Sequence, residues 1–292
     1  MDPTIQKYRA LLEVVDQGSF SRAAEVCQYS QSGISRMIAD LEQGWGVRIV
    51  ERSRRGVKLT AEGERIVPLV RDVVEKDRTL QAKVHEVCGL KVGTIRIGCF
   101  SSVATHWMPC IIAQFRVHYP SVDYELMMGD FEEIERWTQE GRVDLGLIAD
   151  KPKHSVRSRR LASDEMLAVV PQNHPLAQVD CVSLKDLCQD PFMLLQQSGD
   201  SEVSGIFAAA GLKPNVKFVT WDDYAIMAMV ETGLGVSLLP SLILQRNPYH
   251  LIAKHLVKPQ YREIYLLVRP HLSRMAEVFT TFLEEQLTSL HR

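Results

Sequence analysis

The strongest constraint on the fold lies in residues 19–59, SFSRAAEVCQYSQSGISRMIADLEQGWGVRIVERSRRGVKL, where two short helical patterns run straight into a basic hairpin. Ser19 or Ser21 can cap a first helix carrying Ala23, Ala24 and Val26, and Ser30 can cap a second whose buried face is Ile34, Ile38 and Leu41. The turn between them is QYS. Two short helices, a tight turn and small alanines where the helices cross make the helix-turn-helix pattern. The second helix opens with Gln31, Ser32, Ser35 and Arg36, which face away from the apolar stripe. Glutamine can pair with adenine, and arginine with guanine, through two hydrogen bonds in the major groove of DNA. Ser21 and Arg22, at the head of the first helix, are expected among the DNA contacts.

The hairpin, VRIVERSRRGVKL, reads as two short strands with a turn near residues 54–56. It carries Arg48, Arg52, Arg54, Arg55 and Lys58 against Glu51 alone, a local charge of about +4 on a chain of net charge −2. Bulk charge therefore implies no nucleic-acid affinity, and local charge does. A charge run is ordinarily a solvated face. Here it abuts a helix-turn-helix in the order expected of a wing, which rests on phosphate or the minor groove. Arg52, Arg54 and Arg55 are its expected DNA contacts.

A long helix follows over about 60–90, with Thr60 as N-cap and Gly89 as stop. Ile66, Val70, Val73, Leu80, Val84 and Val87 are spaced 4, 3, 7, 4 and 3 apart, a heptad seam with Asp77 at its missing position. Pro68 sits near its start. A partner helix is the better reading of that seam, because the flanking segments account for their own cores. The chain is thus expected to be a homodimer or homotetramer. Residues 91–292 alternate strands and helices. TIRIGCF, YELMM and DLGLIA form a βαβαβ unit with a parallel sheet, and MLAVVP, FMLL, VKFV and GVSLLP form a second set before a long helix after Ser273. Two α/β lobes follow, with the cleft between strand ends as the expected ligand site.

The stretches SFSRAAE, SQSGISRMIADLE and GVRIVERSRRGVKLTAEG resemble the signature of the LysR-type transcriptional regulators. The rest of the chain matches that family in order and length. The resemblance implies a winged helix-turn-helix over 1–60, a linker and dimerisation helix over 61–90, and an effector-binding domain over 91–292. That last domain would be similar to type 2 periplasmic binding proteins, with lobe I at about 91–162 and 267–292 and lobe II at about 163–266. The resemblance also implies that residues 31, 32, 35 and 36 approach bases. One departure is Gly33, where family members usually carry alanine, serine or proline. The expected function is a sequence-specific DNA-binding regulator controlled by a small-molecule effector. Its expected partners are double-stranded DNA, the effector, a second copy of itself and RNA polymerase.

Several groups compete for the effector. Ser101, Ser102 and Thr105 follow the first strand at a helix start, which can be simple capping or a ligand contact. In LysR-type relatives the position matching Ser102 commonly touches the effector. The resemblance places a pocket residue at Asp130, where many relatives carry a small hydroxyl residue. An acid there disfavours a carboxylate and favours a ligand with a donor group, unless Asp130 merely caps the helix from Phe131. Gln197, Ser198, Trp221 and Asp222 follow strands of the second set, and are either further ligand contacts or ordinary loop polarity and a helix N-cap.

No GxSxG, Walker loop, GxGxxG after a strand, HExxH or metal-spaced cluster is present, so no enzyme, cofactor or metal is expected. Six cysteines without a CxxC pair, and an opening without a signal peptide, point to reduced thiols in the cytoplasm. Cys181 and Cys188 have only Lys185 as a basic neighbour, so no lowered thiol pKa is expected. The apolar stretch 225–244 holds Glu231, two glycines and Pro240, and reads as helix-turn-strand, not as a membrane span.

Overall fold

The computed structural model describes residues 3–53, 56–87, 92–153, 157–196 and 202–290. The chain forms two compact units, Met1–Leu90 and Lys91–Arg292.

The first unit comprises α1 (Pro3–Gln17), α2 (Phe20–Cys27), α3 (Gln31–Trp45), β1 (Val50–Ser53), β2 (Gly56–Leu59) and α4 (Ala61–Val87). Ser19, not Ser21, caps α2, its hydroxyl accepting from Arg22 N at 3.4 Å. Gln28 ends α2 in the left-handed conformation, and Ser30 caps α3 by accepting from Gly33 N at 3.0 Å. Ala23 and Ala24 lie in the core with Leu11, Val14, Ile34, Ile38 and Ile49. Val26, expected on the apolar face, is 56% exposed instead.

Thr60 caps α4, accepting from Gly63 N at 2.9 Å while its hydroxyl donates to the Arg48 carbonyl at 2.7 Å. A Cβ on Gly63 would sit 2.2 Å from the Ile49 carbonyl oxygen, so only glycine lets α4 start against β1. The expected stop, Gly89, lies outside the described residues. The expected seam divides between two faces. Val67, Val70 and Val74 pack into the unit's own core, with Ile66 partly buried against it. Asp77 pairs with Arg9 at 2.9 Å and Arg71 pairs with Asp16 at 2.9 Å, so the gap in the heptad pattern is an anchor to α1. Leu69 takes the place of Val70 in the exposed row, which runs Leu69, Val73, Leu80, Val84 and Val87.

The second unit opens with β3 (Gly93–Cys99), α5 (Ser101–His106), α6 (Met108–His118), β4 (Val122–Met128), α7 (Phe131–Gln139) and β5 (Leu145–Ile148). Strands β4, β3 and β5 are parallel, as the βαβαβ pattern predicts. The fifteen-residue β6 (Arg157–Pro171) follows, then β7 (Cys181–Val182), α8 (Leu184–Leu187) and β8 (Pro191–Leu195). Next come α9 (Glu202–Ala209), β9 (Asn215–Thr220), α10 (Asp223–Glu231), β10 (Ser237–Pro240) and α11 (Ser241–Leu244). The unit ends with β11 (Leu251–Leu256), β12 (Gln260–Val268) and α12 (Arg274–Leu290). Strands β11 and β12 lie outside the sequence-derived set. Stretch 225–244 folds as α10, a turn, β10 and then the short α11, one helix more than the helix-turn-strand expected, and among the described residues no helix is long and apolar enough to cross a membrane.

The main sheet runs β4-β3-β5-β12-β6-β11-β7, with β10 also on β6 and β8-β9 as a separate parallel pair. Strands β6 and β12 are antiparallel neighbours and tie the unit together. Ala162 and Ile264 enter a core with Ile97, Phe115 and Phe279. Farther along β6, Met166 and Val170 enter a second core with Phe192 and Phe207. Val169 enters a third with Met193 and Met227. Cys181 is exposed, and burial pushes the Cys188 thiol up, away from thiolate character.

Candidate DNA interface and effector cleft

On α3 the apolar stripe of Ile34, Ile38 and Leu41 is buried, which turns Gln31, Ser32 and Arg36 outward with Ser35 half-buried. Ser32 Oγ stays 3.1 Å from the capping Ser30 Oγ, which orients it along the helix start. A Cβ at position 33 would lie 3.1 Å from Ser30 Oγ, so glycine there leaves the cap uncrowded. Ser21 and Arg22 are exposed in the first turn of α2. Lys7 hydrogen-bonds Asp40 at 2.9 Å and, with Arg36 nearby, holds its carboxyl below the usual range.

The hairpin is fastened to α3 by one side chain. Glu42 Oε1 accepts from Ile49 N at 2.7 Å and Val50 N at 3.2 Å. Val57 N also donates to the Gly18 carbonyl at 2.9 Å, which ties β2 to the turn between α1 and α2. Glu51 pairs with Lys58 across the hairpin, and Arg48 and Lys58 are exposed. The side chain of Arg52, and Arg54 and Arg55 entirely, lie outside the described residues.

In the second unit a cleft of about 840 Å³ opens where β4, β8 and β9 end. Ser101, Thr105, Asp130, Trp221 and Asp222 all line it, five of the residues expected there. Gln197 and Ser198 lie outside the described residues, although the adjacent Gln196 lines the cleft. Ser102 does not line it. It is 2% exposed, and its Oγ accepts from Arg262 Nη2 at 2.8 Å. Successive side chains on a helix diverge by roughly 100°. Ser101 therefore faces the cleft, while Ser102 turns into the protein. Helix α5 has only six residues, so it aligns few peptide dipoles toward a ligand.

Asp130 caps α7 in a capping box, accepting from Glu133 N at 2.8 Å while Glu133 accepts from Asp130 N at 3.2 Å. The structure thus makes Asp130 a cap and a cleft residue at once. Asp222 caps α10 through Oδ1, which accepts from Tyr224 N at 2.9 Å. Sequence reasoning missed Asp223, whose Oδ2 accepts from Ser101 Oγ at 2.5 Å. Burial raises the Asp223 carboxyl, with the Ser101 bond and Arg262 working against it.

Behind the cleft lies a buried polar network that sequence reasoning also missed. Asp164 on β6 and Arg262 on β12 are direct cross-strand partners. Arg262 Nε donates to Asp164 Oδ2 at 2.9 Å, and its Cζ lies 5.0 Å from the Phe100 ring centre. Asp164 Oδ1 accepts from Ser241 Oγ at 2.8 Å and Leu242 N at 3.0 Å. Glu202 Oε2 is 3.9 Å from Arg262 Nη1, while its Oε1 is enclosed without a hydrogen-bond partner among the described residues. Burial pushes the Glu202 carboxyl up to about 7, with Arg262 opposing and Asp150, Asp164 and Asp223 reinforcing the shift.

Residues 5–64 match the family described as the bacterial regulatory helix-turn-helix proteins of the lysR family. Residues 89–288 match the LysR substrate binding domain. The chain is 31% identical over 277 residues to a probable transcriptional regulator, LrrA, of Synechococcus elongatus, covering 94% of each chain. It is 29% identical to the transcriptional dual regulator GltC of Bacillus subtilis, covering 96% of this chain and 95% of GltC. The crystal structure of HinK, a LysR family regulator from Pseudomonas aeruginosa, aligns with a TM-score of 0.61 at 25% identity, covering 97% of this chain and 98% of HinK.

Proposed function

The chain belongs to the LysR family of bacterial transcriptional regulators, and on that premise we propose that it reads operator DNA through α3 and is controlled by a small molecule held in the cleft of its α/β unit. The observation that carries the first half is the outward face of α3. There Gln31, Ser32 and Arg36 are exposed on a helix whose opposite side is buried, next to a hairpin fastened by Glu42. Ser21, Arg22, Ser35, Arg52, Arg54 and Arg55 complete the proposed DNA contacts. Arg36→Ala is expected to cost about 1–3 kcal/mol in operator binding, the worth of a bidentate base contact, with little change on random DNA. Alanine at Arg54 or Arg55 weakens both alike and flattens the salt dependence. Gel-shift titration on operator and scrambled duplexes decides. An unchanged operator preference for Arg36→Ala would refute the recognition-helix assignment.

The effector half rests on the cleft, with Ser101, Thr105, Asp130, Trp221 and Asp222 as proposed contacts, joined by Gln197 and Ser198. Ser102 acts there through Arg262, as a support for the wall. Two reading heads at fixed spacing need a dimer. The exposed row Leu69, Val73, Leu80, Val84 and Val87 supports α4 as its seam. Leu80→Glu puts a charge in that seam and is expected to leave a monomer in light scattering at micromolar chain, where the wild type runs as a dimer or tetramer. RNA polymerase is the proposed partner at the promoter, and the cytoplasm the proposed compartment.

A further inference from the structure

We propose that the cleft of the α/β unit is built for a small organic cation, an amine carried as its ammonium, and rejects simple carboxylates. This rests on the reading of the cleft as the effector site and names the chemistry it selects. The charged residues among the described lining are Asp130, Glu133, Asp222 and Asp223, all acidic; Arg136, outside that lining, stands 3.9 Å from Glu133 and offsets part of its charge. The helix caps engage Oδ1 of both Asp130 and Asp222, and no bond reaches Oδ2 of either among the described residues. Those two oxygens are free to accept from a ligand.

The guanidinium behind the cleft cannot serve an anion. Arg262 is buried and already holds Asp164, Ser102 and the Phe100 ring. It is also shared too widely. Asp164, Asp223 and Glu202 all draw on its single charge, and the enclosed Glu202 Oε1 has no hydrogen-bond partner among the described residues. The described residues behind the cleft thus set three carboxyl groups against one guanidinium. An ammonium supplies a further positive charge with three N–H donors. The Ser101 and Thr105 hydroxyls are further acceptors on the cleft wall. Trp221, 77% exposed in the cleft, offers a ring face over which a cation is attracted. A carboxylate would meet the repulsion of the same acids, with no lysine, arginine or histidine among the described lining to bind it.

The test uses the full chain and four probes: 1,4-diaminobutane and 2-phenylethylamine against butanedioate and phenylacetate. Calorimetric titration and thermal melting are read on the wild type, the double variant Asp130→Asn/Asp222→Asn, and Trp221→Ala. Asparagine caps helices as well as aspartate, so the double variant removes charge while keeping both caps. Its melting point without probe, unchanged from wild type, verifies that. The expected result is that the amines bind and raise the melting temperature while the carboxylates do neither. The double variant should then lose at least about tenfold in amine affinity, the equivalent of about 1.4 kcal/mol. Binding of the carboxylates alone, or of no probe, overturns the cation assignment. Carboxylate binding lost in Trp221→Ala would leave the cleft as the effector site with the opposite charge preference. Amine binding unchanged in both variants would overturn the assignment and the cleft reading together.

Discussion

Replacing Arg262 with alanine is expected to destabilise the α/β unit by about 3–5 kcal/mol, the usual cost of breaking a buried ion pair from one side. Asp164 would keep its bonds from Ser241 Oγ and Leu242 N but lose its only ion-pair partner among the described residues, in a site where both residues are buried. Ser102 would lose the donor that occupies its hydroxyl. The Phe100 ring would lose the cation above it. The neighbouring pair on the same two strands supplies the control. Arg160 on β6 bonds Glu263 on β12, but both side chains are solvent-exposed. Arg160→Ala should cost less than about 1 kcal/mol, as exposed pairs do. Chemical denaturation of the full chain compares the two directly. Equal, small losses would mean that water reaches Arg262 and that the network is not a buried one.

Glu202→Gln is expected to stabilise the same unit at alkaline pH and to change little at pH 5. Burial lifts the Glu202 carboxyl from its usual 4.5 to about 7. The folded chain therefore binds a proton there that the unfolded chain has released between those two values. Stability from this group is complete below pH 4.5 and is lost as pH rises through 7. The groups facing Glu202 are Arg262, which favours its charged form, and Asp150, Asp164 and Asp223, which oppose it. Glutamine keeps the shape and removes the charge. The gap between variant and wild type should open from pH 5 to pH 8 toward about 3 kcal/mol, the equivalent of the full shift. Asp223, raised in the same sense, remains in both proteins, and its repulsion of Glu202 is part of the gap being measured. Melting curves across that range are the measurement. Parallel curves would place Glu202 in water. A variant less stable at pH 8 would mean that its attraction to Arg262 outweighs its burial.

Some of what was missed had left a trace. On β12, positions 262, 264, 266 and 268 are buried, and on β6 positions 162, 164, 166, 168 and 170 are buried. Arg262 and Asp164 sit on those inward phases, in rows otherwise occupied by Ile264, Leu266, Ala162 and Met166. A charge in phase with an apolar alternation is a buried charge, and two opposite ones on neighbouring strands are a pair. That signal was readable once β12 was recognised as a strand. The exposed row of α4 had the reverse problem. The heptad spacing selected Val70 where the structure exposes Leu69, because a helix apolar on two faces offers two registers. Only the packing of α1, through Arg9–Asp77 and Arg71–Asp16, chooses between them.

By itself the sequence determined the elements whose causes are local. Ser19, Ser30 and Thr60 cap helices within three residues of themselves. The apolar stripe of α3 faces inward because a helix repeats every 3.6 residues. Exposure of Gln31 and Arg36 follows from that stripe with no knowledge of anything distant. The cleft belongs to the tertiary structure. Whether Ser101 or Ser102 meets the solvent was decided by Arg262, which lies 160 residues from Ser102 in the chain. Asp130 and Asp222 became neighbours of one cavity because β4 and β9 end at the same place. Side-chain roles of that kind depend on which strands lie beside each other, and cross-strand neighbours leave no spacing in the sequence from which they can be read.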